Sequence, residues 1–249
     1  MIAALPMYDW PELEGATNAL WRELAGELRA CGIEAPDELS RSDDDTSFAL
    51  SPDLILGQTC GYPLSTRLKG MIQYLATPEY NVEGCDGPLY SSALLVHKSS
   101  RITLKTMAGS RFAYNSENSL SGYRCVRAMV GDPAKHFGAM VRSGAHRQSA
   151  KMVAAGQADV AALDAICWHH LMVIEPNIAS KLKIIGWTKL RPGLPFITSL
   201  KTPPDKVKSL RDILKKVISN ADANSEWQSL KIRDCVVLAP GDYDDLAGM

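Results

Sequence analysis

The chain has 249 residues, 46% of them hydrophobic and 22% charged, which fits a globular protein with one large domain or two lobes of about 100 residues each. Its formal net charge of −1 provides no overall basic field to attract nucleic acid or an anionic membrane. The sequence contains no apolar run long enough to span a bilayer, so it predicts no transmembrane segment. Its six cysteines include no CxxC pair near a histidine, so it predicts no metal site, and no cofactor is expected.

The first half of the chain alternates strand and helix patterns. Residues 2–7 are an apolar run that predicts a strand, and residues 10–32 predict a helix that begins at a proline and ends at a glycine. Residues 53–59 predict a second, buried strand. Residues 71–76 and 89–97 predict further strands, and the last of these is long enough to cross between two lobes.

The second half continues the alternation. Its predicted helices cover residues 103–108, 123–130, 146–155, 166–174, 204–219 and 223–230. Its predicted strands cover residues 111–114, 158–163, 182–187 and 193–198. Such alternation indicates an α/β protein with mostly parallel sheets flanked by helices, because each helix returns the chain to the same edge of its sheet.

The segment 115–123 has the composition of an anion cradle, since it follows a predicted strand and leads directly into a helix. The first turn of a helix has unsatisfied N–H donors and a positive dipole end. Ser119 and Ser121 add hydroxyls there, and Gly122 lets the backbone approach a ligand. The alternative is that both serines only cap the helix, and the sequence leaves both interpretations open.

Two further polar residues stand at the start of predicted helices. His146 lies in a glycine-containing segment before a helix and is a candidate donor to an anion, or else a structural hydrogen-bonding residue. Asp164 follows a predicted strand, where open α/β sheets bind ligands, and is a candidate acceptor for an amine or a protonated oxygen. Its alternative role is to cap the next helix.

Additional hydroxyl donors come from a Gly-Tyr-Pro loop and from a Tyr-Ser-Ser run. The candidate ligand-binding residues here are Tyr62 in the loop and Tyr90, Ser91 and Ser92 in the run. Either tyrosine has the alternative of being a half-buried packing residue.

Motifs of covalent catalysis are absent. The sequence has no GxSxG, P-loop, GxGxxG after a strand, or HExxH motif. Adjacent His169 and His170 would point about 100° apart on a helix, which is unsuitable for joint chelation of one metal. We therefore predict no catalytic residues and no enzyme. The rival is an enzyme, for example a thiol-dependent one, in which Cys60, Cys85 or His146 does the chemistry.

Several segments together resemble the PhnD-type phosphate, phosphite and phosphonate-binding proteins of ABC transporters. The segments that carry the resemblance are residues 5–9, 84–92, 115–123, 144–149, 156–164 and 192–198. One departure from that family is Ser119-Leu120-Ser121, which stands where the family has Ser-Thr-Ser and has one hydroxyl fewer.

This resemblance implies a type II periplasmic-binding-protein fold with a ligand cleft between two lobes. By analogy, residues 1–96 plus 196–249 form one lobe, residues 97–195 form the other, and a hinge motion closes them. The resemblance implies that Ser119, Ser121 and Gly122 hold the oxyanion. It places the other candidates around them, namely Tyr62, Tyr90, Ser91, Ser92, His146 and Asp164.

The function that the resemblance implies is capture of a small phosphonate-like or phosphate-like anion, with an ABC-transporter permease as the partner. The family is exported, which implies a periplasmic location if a leader precedes this sequence. The start at Met1 lacks a secretory signal pattern, so a natural start there would predict a cytoplasmic protein. The alternatives are a cytoplasmic ligand sensor, or an enzyme on the same fold similar to those of thiamine-pyrimidine synthesis.

Overall fold

The computed structural model of the chain describes residues 1–41, 47–220, 225–239 and 241–249. The chain divides into two compact units. Met1–Asn81 and Pro192–Ala247 form the first unit, and Val82–Arg191 with Gly248–Met249 form the second.

The described helices are mostly short. The α-helices are α1 Glu14–Ala30, α2 Gly61–Ser65, α3 Cys125–Val130, α4 Pro133–His136, α5 His146–Ala154, α6 Ala165–Ile174, α7 Pro176–Ala179 and α8 Pro204–Ser219. One π-helical turn, Leu120–Arg124, leads into α3. The 3₁₀ turns are Pro6–Tyr8, Pro11–Leu13, Ser47–Leu50, Gln228–Leu230 and Asp244–Gly248. No described helix combines the length and apolar character that a bilayer crossing requires.

The described strands number thirteen. They are β1 Ile2–Ala4, β2 Leu54–Gln58, β3 Ile72–Tyr80, β4 Cys85–Asp86, β5 Leu89–Tyr90, β6 Ser92–His97, β7 Arg111–Tyr114, β8 Ala139–Arg142, β9 Val160–Asp164, β10 Leu182–Trp187, β11 Arg191–Pro192, β12 Phe196–Ser199 and β13 Ile232–Val236.

The first unit is built on a five-stranded sheet in the order β1-β2-β12-β3-β13. Helix α1 forms because apolar residues recur every three or four positions, and this face is buried at Leu20, Leu24 and Leu28. Helix α8 packs against α1 and against β13. The two long helices and the sheet thereby enclose one hydrophobic core.

The second unit has its own five-stranded sheet in the order β10-β6-β9-β7-β8. Its core surrounds Phe112 on β7, which is fully buried and stacks on Phe137 with ring centroids 4.6 Å apart. The buried strand β9 is a continuous apolar run that ends at Asp164. This packing fixes the carboxyl ends of β7 and β9, from which the polar segments described below continue.

Both sheets are mixed, whereas mostly parallel sheets were predicted. Strands joined by helical crossovers are parallel, as in the pairs β1–β2, β7–β8 and β7–β9. The antiparallel partners include β3, β6, β10 and β12, which lie in the stretches where the chain passes from one unit to the other. The prediction failed at β6 and β12, because each enters its unit through short strands and extended chain and not through a helix.

The chain passes from the first unit to the second after residue 81 and back to the first after residue 191. The predicted lobe boundaries were after residues 96 and 195. The first boundary differs because the run 89–97 was taken as a strand of the first lobe. In the structure that run is the short β5 and then β6, and β6 pairs with β9 and β10 of the second unit.

Some local predictions were wrong. Residues 103–108 form turns rather than a helix, and the predicted loop at Gly61-Tyr62-Pro63 is the start of helix α2. The first two residues of the predicted helix 223–230 lie outside the described residues. The rest of that segment contains only the 3₁₀ turn Gln228–Leu230. Strands β8 and β13 were not predicted.

Substitution of Gly26 by alanine is expected to stabilise the protein. Gly26 is exposed in the interior of α1, and a Cβ atom added there would meet no atom within 4 Å. Alanine in a helix interior is more favourable than glycine by about 0.5–1 kcal/mol. We expect a gain of that size in the free energy of unfolding from urea titrations of Gly26→Ala. A loss of stability would mean that this position is not ordinary helix.

Candidate functional site

The segment after β7 forms a helix start, as the sequence predicted. Ser119 is the N-cap of the turn Leu120–Arg124, and its Oγ accepts from the Gly122 N–H at 3.1 Å. The first backbone bond of the turn joins the Arg124 N–H to the Ser119 carbonyl. Ser119 therefore has the capping role that the sequence left open, and its contact with an anion stays a prediction.

Ser121 is held on both sides by polar groups. Its Oγ lies 2.9 Å from Nε2 of His146, and its backbone carbonyl accepts from the Ser92 hydroxyl at 2.9 Å. Ser121 is only 4% exposed and Ser92 is fully buried. The helix start, β6 and the start of α5 therefore meet at one polar cluster.

The hydrogen bonds of His146 define its tautomer. Nδ1 lies 3.2 Å from the Ala162 carbonyl, which can only accept, so Nδ1 carries a proton. In the neutral imidazole, Nε2 then accepts from the Ser121 hydroxyl. In the imidazolium, Nε2 donates instead, and the Ser121 hydroxyl becomes free to donate to a ligand.

Asp164 has the capping role considered from the sequence and also contacts His146. Its Oδ1 accepts from the Cys167 N–H at 2.6 Å and caps helix α6. Its Oδ2 lies 3.5 Å from Nε2 of His146. The carboxylate is thus part of the same cluster, although its contact with a ligand stays a prediction.

Gly122 and Asn115 face each other across the cluster. A Cβ atom on Gly122 would lie 2.0 Å from Oδ1 of Asn115 and 3.1 Å from Cε1 of His146, so only glycine fits without movement. Oδ1 of Asn115 is buried, and within the part of the chain that the structure describes it has no hydrogen-bond partner. Asn115 was not among the candidates predicted from the sequence, although its position directly after a parallel strand was a usable signal.

Ser91 lies beside the cluster but is bonded elsewhere. Its N–H and its Oγ both donate to the Gly84 carbonyl at 2.8 Å, and its own carbonyl accepts from the Ala165 N–H. Its neighbour Ser92 pairs in register with Asp164. Ser91 therefore supports the strand geometry under Asp164, and its predicted contact with a ligand stays a prediction.

The two candidate tyrosines occupy different units. Tyr90 is 3% exposed in the short hairpin β4–β5 of the second unit, where it pairs with Cys85. Tyr62 belongs to helix α2 of the first unit, and its carbonyl accepts from the hydroxyls of Ser65 and Thr66. The anion contacts predicted for both tyrosines stay predictions.

The thiols differ strongly in accessibility. Cys167 is buried, and burial followed by the nearby Asp164 carboxylate raises the pKa of its thiol well above the usual range. Burial raises the pKa of Cys235 to about 12, while Cys31 is exposed. Cys60 and Cys85, the thiols of the rival enzyme hypothesis, are half-buried.

We expect alkylation with iodoacetamide to follow this order, because the thiolate is the reactive form. Cys31 should be modified first, and Cys167 and Cys235 should react only after unfolding in urea. Peptide mass spectrometry of a time course gives the rates. Modification of Cys167 as fast as Cys31 in the folded protein would contradict the assignment of a buried neutral thiol.

The comparison with protein families decides the assignment. A family described as the periplasmic phosphonate substrate-binding protein of ABC transporters matches residues 53–243. The chain belongs to this family. It is a family of substrate-binding proteins rather than of enzymes, and its members are described as periplasmic. No curated protein matches the chain in sequence.

Solved structures of phosphonate-transporter proteins share the fold. A binding-protein component of an ABC phosphonate transporter from Pseudomonas aeruginosa is 19% identical with a TM-score of 0.74, over 98% of this chain and 82% of that chain. PhnD1 from Prochlorococcus marinus, in complex with methylphosphonate, is 18% identical with a TM-score of 0.77, over 99% of this chain and 95% of that chain. A Xanthomonas citri protein bound to ATP is 17% identical with a TM-score of 0.76, over 100% of this chain and 95% of that chain. The predicted periplasmic-binding-protein fold is confirmed.

Proposed function

We propose that this member of the phosphonate-binding family binds a small phosphonate-like or phosphate-like oxyanion at the helix start of residues 115–123, without covalent chemistry. The observation that carries the proposal is the 2.9 Å contact between Ser121 Oγ and His146 Nε2 at that helix start. With the ring in the imidazolium form, it places a hydroxyl that is free to donate, held by a positively charged ring, beside the positive end of a helix.

The burial of the cluster favours a strong interaction with an anion. Ser121 is 4% exposed, and the side chain of His146 is 11% exposed. Hydrogen bonds to charged groups contribute about 1.5–3 kcal/mol, more than those between neutral groups. A small anion with several oxygens can use the Ser121 hydroxyl and the backbone N–H groups of the first helical turn together, next to the positive charge of the imidazolium.

The ligands held by two relatives support a tetrahedral phosphorus oxyanion as the ligand class. Methylphosphonate is bound in the Prochlorococcus marinus protein and ATP in the Xanthomonas citri protein. Both molecules carry a tetrahedral phosphorus centre with several negatively charged oxygens. The N–H donors at a helix start form a ready anion-binding site for a group of this kind.

Family membership supports two further elements of the proposal. The partner is the permease of an ABC transporter, and the location is the periplasm. The closure of two lobes over the ligand stays a prediction from the sequence resemblance. Small-angle X-ray scattering tests it, since closure would lower the radius of gyration when methylphosphonate is added and an unchanged radius would contradict it.

The ligand class is tested by differential scanning fluorimetry of the purified chain. The panel is methylphosphonate, phosphate, phosphite and ATP, with methanesulfonate and acetate as anions that lack phosphorus. A ligand present at 100 times its dissociation constant adds about 2.7 kcal/mol to stability. We expect a rise in melting temperature with methylphosphonate or phosphate and none with acetate.

Two outcomes of this panel would contradict the proposal. Equal shifts with all anions would indicate general ionic strength effects, and no shift with any phosphorus compound would exclude the ligand class. Phosphorus NMR of the same mixtures after prolonged incubation tests the absence of chemistry. Conversion of the phosphonate would support the enzyme hypothesis instead.

A further inference from the structure

Three side chains with metal-binding atoms converge at the end of β9. Nε2 of His146, a carboxylate oxygen of Asp164 and Sγ of Cys167 all lie within 4.8 Å of one another. The sequence predicted no metal, because a histidine 18 residues before the Asp-x-x-Cys pattern forms no recognisable motif. We propose that these three residues bind a zinc-like divalent metal ion, a function that does not rest on the oxyanion proposal.

The imidazole is already oriented as a metal ligand. Nδ1 of His146 donates to the Ala162 carbonyl at 3.2 Å, so in the neutral ring the lone pair is on Nε2. Histidines that bind metals usually donate their other ring N–H to a carbonyl or carboxylate in this way. The tautomer needed for metal binding is therefore fixed by the backbone of β9.

One oxygen of the Asp164 carboxylate is held by a hydrogen bond, and the other oxygen lies near His146. Oδ1 of Asp164 is held by the Cys167 N–H at 2.6 Å, and Oδ2 lies 3.5 Å from His146 Nε2. Bonds from zinc to its ligands of about 2.0–2.3 Å place those ligand atoms about 3–4 Å apart. The three atoms lie within 4.8 Å of one another, so they would have to approach by up to about 1 Å to close around one ion.

The charges also balance. Cys167 is a buried thiol that interacts with the Asp164 carboxylate. On metal binding its S–H proton passes to solvent and a sulfur–metal bond forms. The thiolate and the carboxylate together then neutralise a divalent ion, which leaves no net charge in the buried cluster.

The ligand set selects the class of metal. Sulfur and imidazole nitrogen favour zinc and similar transition metals, whereas magnesium and calcium prefer oxygen ligands. Three protein ligands leave one position of a tetrahedral zinc ion open. Ser121 Oγ lies 2.9 Å from Nε2, and a metal on Nε2 would release this hydroxyl from its present hydrogen bond.

Cobalt(II) is a suitable probe, since a bound thiolate gives it a charge-transfer band in the near ultraviolet. The test uses the full chain, freed of metal with a chelator and without any phosphonate, in a background with Cys31→Ser, Cys60→Ser and Cys85→Ser. That background removes the exposed and half-buried thiols. We expect a thiolate–cobalt band that saturates at one ion per chain and disappears when zinc is added.

Variants in the same background assign the site. Cys167→Ser should abolish the band, and His146→Gln should weaken zinc binding by at least the roughly 10–100-fold that loss of an outer-shell partner costs. Cys125→Ser is the matched control, because Cys125 is also buried but lies on α3 outside the cluster. Circular dichroism checks that each variant is folded.

The proposal is overturned if the folded background protein shows no band, or if the band persists in folded Cys167→Ser. It is equally overturned if Cys125→Ser removes the band while His146→Gln keeps it. Because no anion is present, these results are separate from those of the oxyanion titrations, and either proposal can fail without the other.

Discussion

Methylphosphonate binding is expected to weaken sharply when Gly122 is replaced with alanine. The added Cβ would lie 2.0 Å from Asn115 Oδ1, so either the amide or the helix start must move. Overpacking of this kind costs about 1–3 kcal/mol of folding stability. If the free protein relieves this strain by moving the helix start and the ligand requires the original position, the same cost weakens binding by about 5–150-fold. The measurement is isothermal titration calorimetry of Gly122→Ala against the unmodified chain.

Two further variants identify the cause of that loss. Gly122→Ala combined with Asn115→Ala removes the obstructing amide, and we expect it to recover thermal stability relative to Gly122→Ala. Gly26→Ala is the control for the same chemical change in open space and should bind methylphosphonate as the unmodified chain does. Unchanged affinity in Gly122→Ala would show that the helix start is not part of the binding site.

Asp164→Ala is expected to destabilise the second unit. The substitution removes the acceptor of the Cys167 N–H and leaves a buried donor at the start of α6. Loss of an N-cap costs about 0.5–2 kcal/mol, and an unsatisfied buried donor costs about 1–3 kcal/mol. Because these two costs describe the same lost bond, we expect a decrease of about 1–3 kcal/mol in the free energy of unfolding, measured by urea titration.

The matched substitution is Asp164→Asn, which keeps an acceptor oxygen at the cap. Asparagine and aspartate are equally good N-caps, so Asp164→Asn should retain most of the stability that Asp164→Ala loses. If both variants lose the same amount, the negative charge near His146, and not the cap, accounts for the role of Asp164.

Local sequence patterns predicted the parts of the fold that depend on local periodicity. Helices α1 and α8 and the buried strand β9 follow from apolar spacing and from proline or glycine at their ends. The antiparallel pairing of β3 with β12 did not follow, because more than 100 residues separate these strands and no local pattern encodes their register.

The capping roles of Ser119 and Asp164 were among the interpretations that the sequence left open, and the contacts of the candidate residues with a ligand stay predictions. Ser119, Ser121 and Asp164 were recognised because capping residues and anion-binding residues share the same positions. The contact of Ser121 with His146 and the burial of Asn115 Oδ1 arise only from tertiary packing. The same reason explains why the proximity of His146, Asp164 and Cys167 could not be predicted.

The most direct test of the proposed function is calorimetric titration of methylphosphonate into Ser121→Ala and Ser199→Ala. Both serines are 4% exposed, but Ser199 lies on β12 of the first unit, where its Oγ accepts from the Lys201 N–H at 3.2 Å. Loss of a hydrogen bond to a charged ligand costs about 1.5–3 kcal/mol, so Ser121→Ala should bind about 10–150-fold more weakly, with Ser199→Ala unchanged. Equal affinity of both variants and the unmodified chain would contradict an oxyanion site at Ser121.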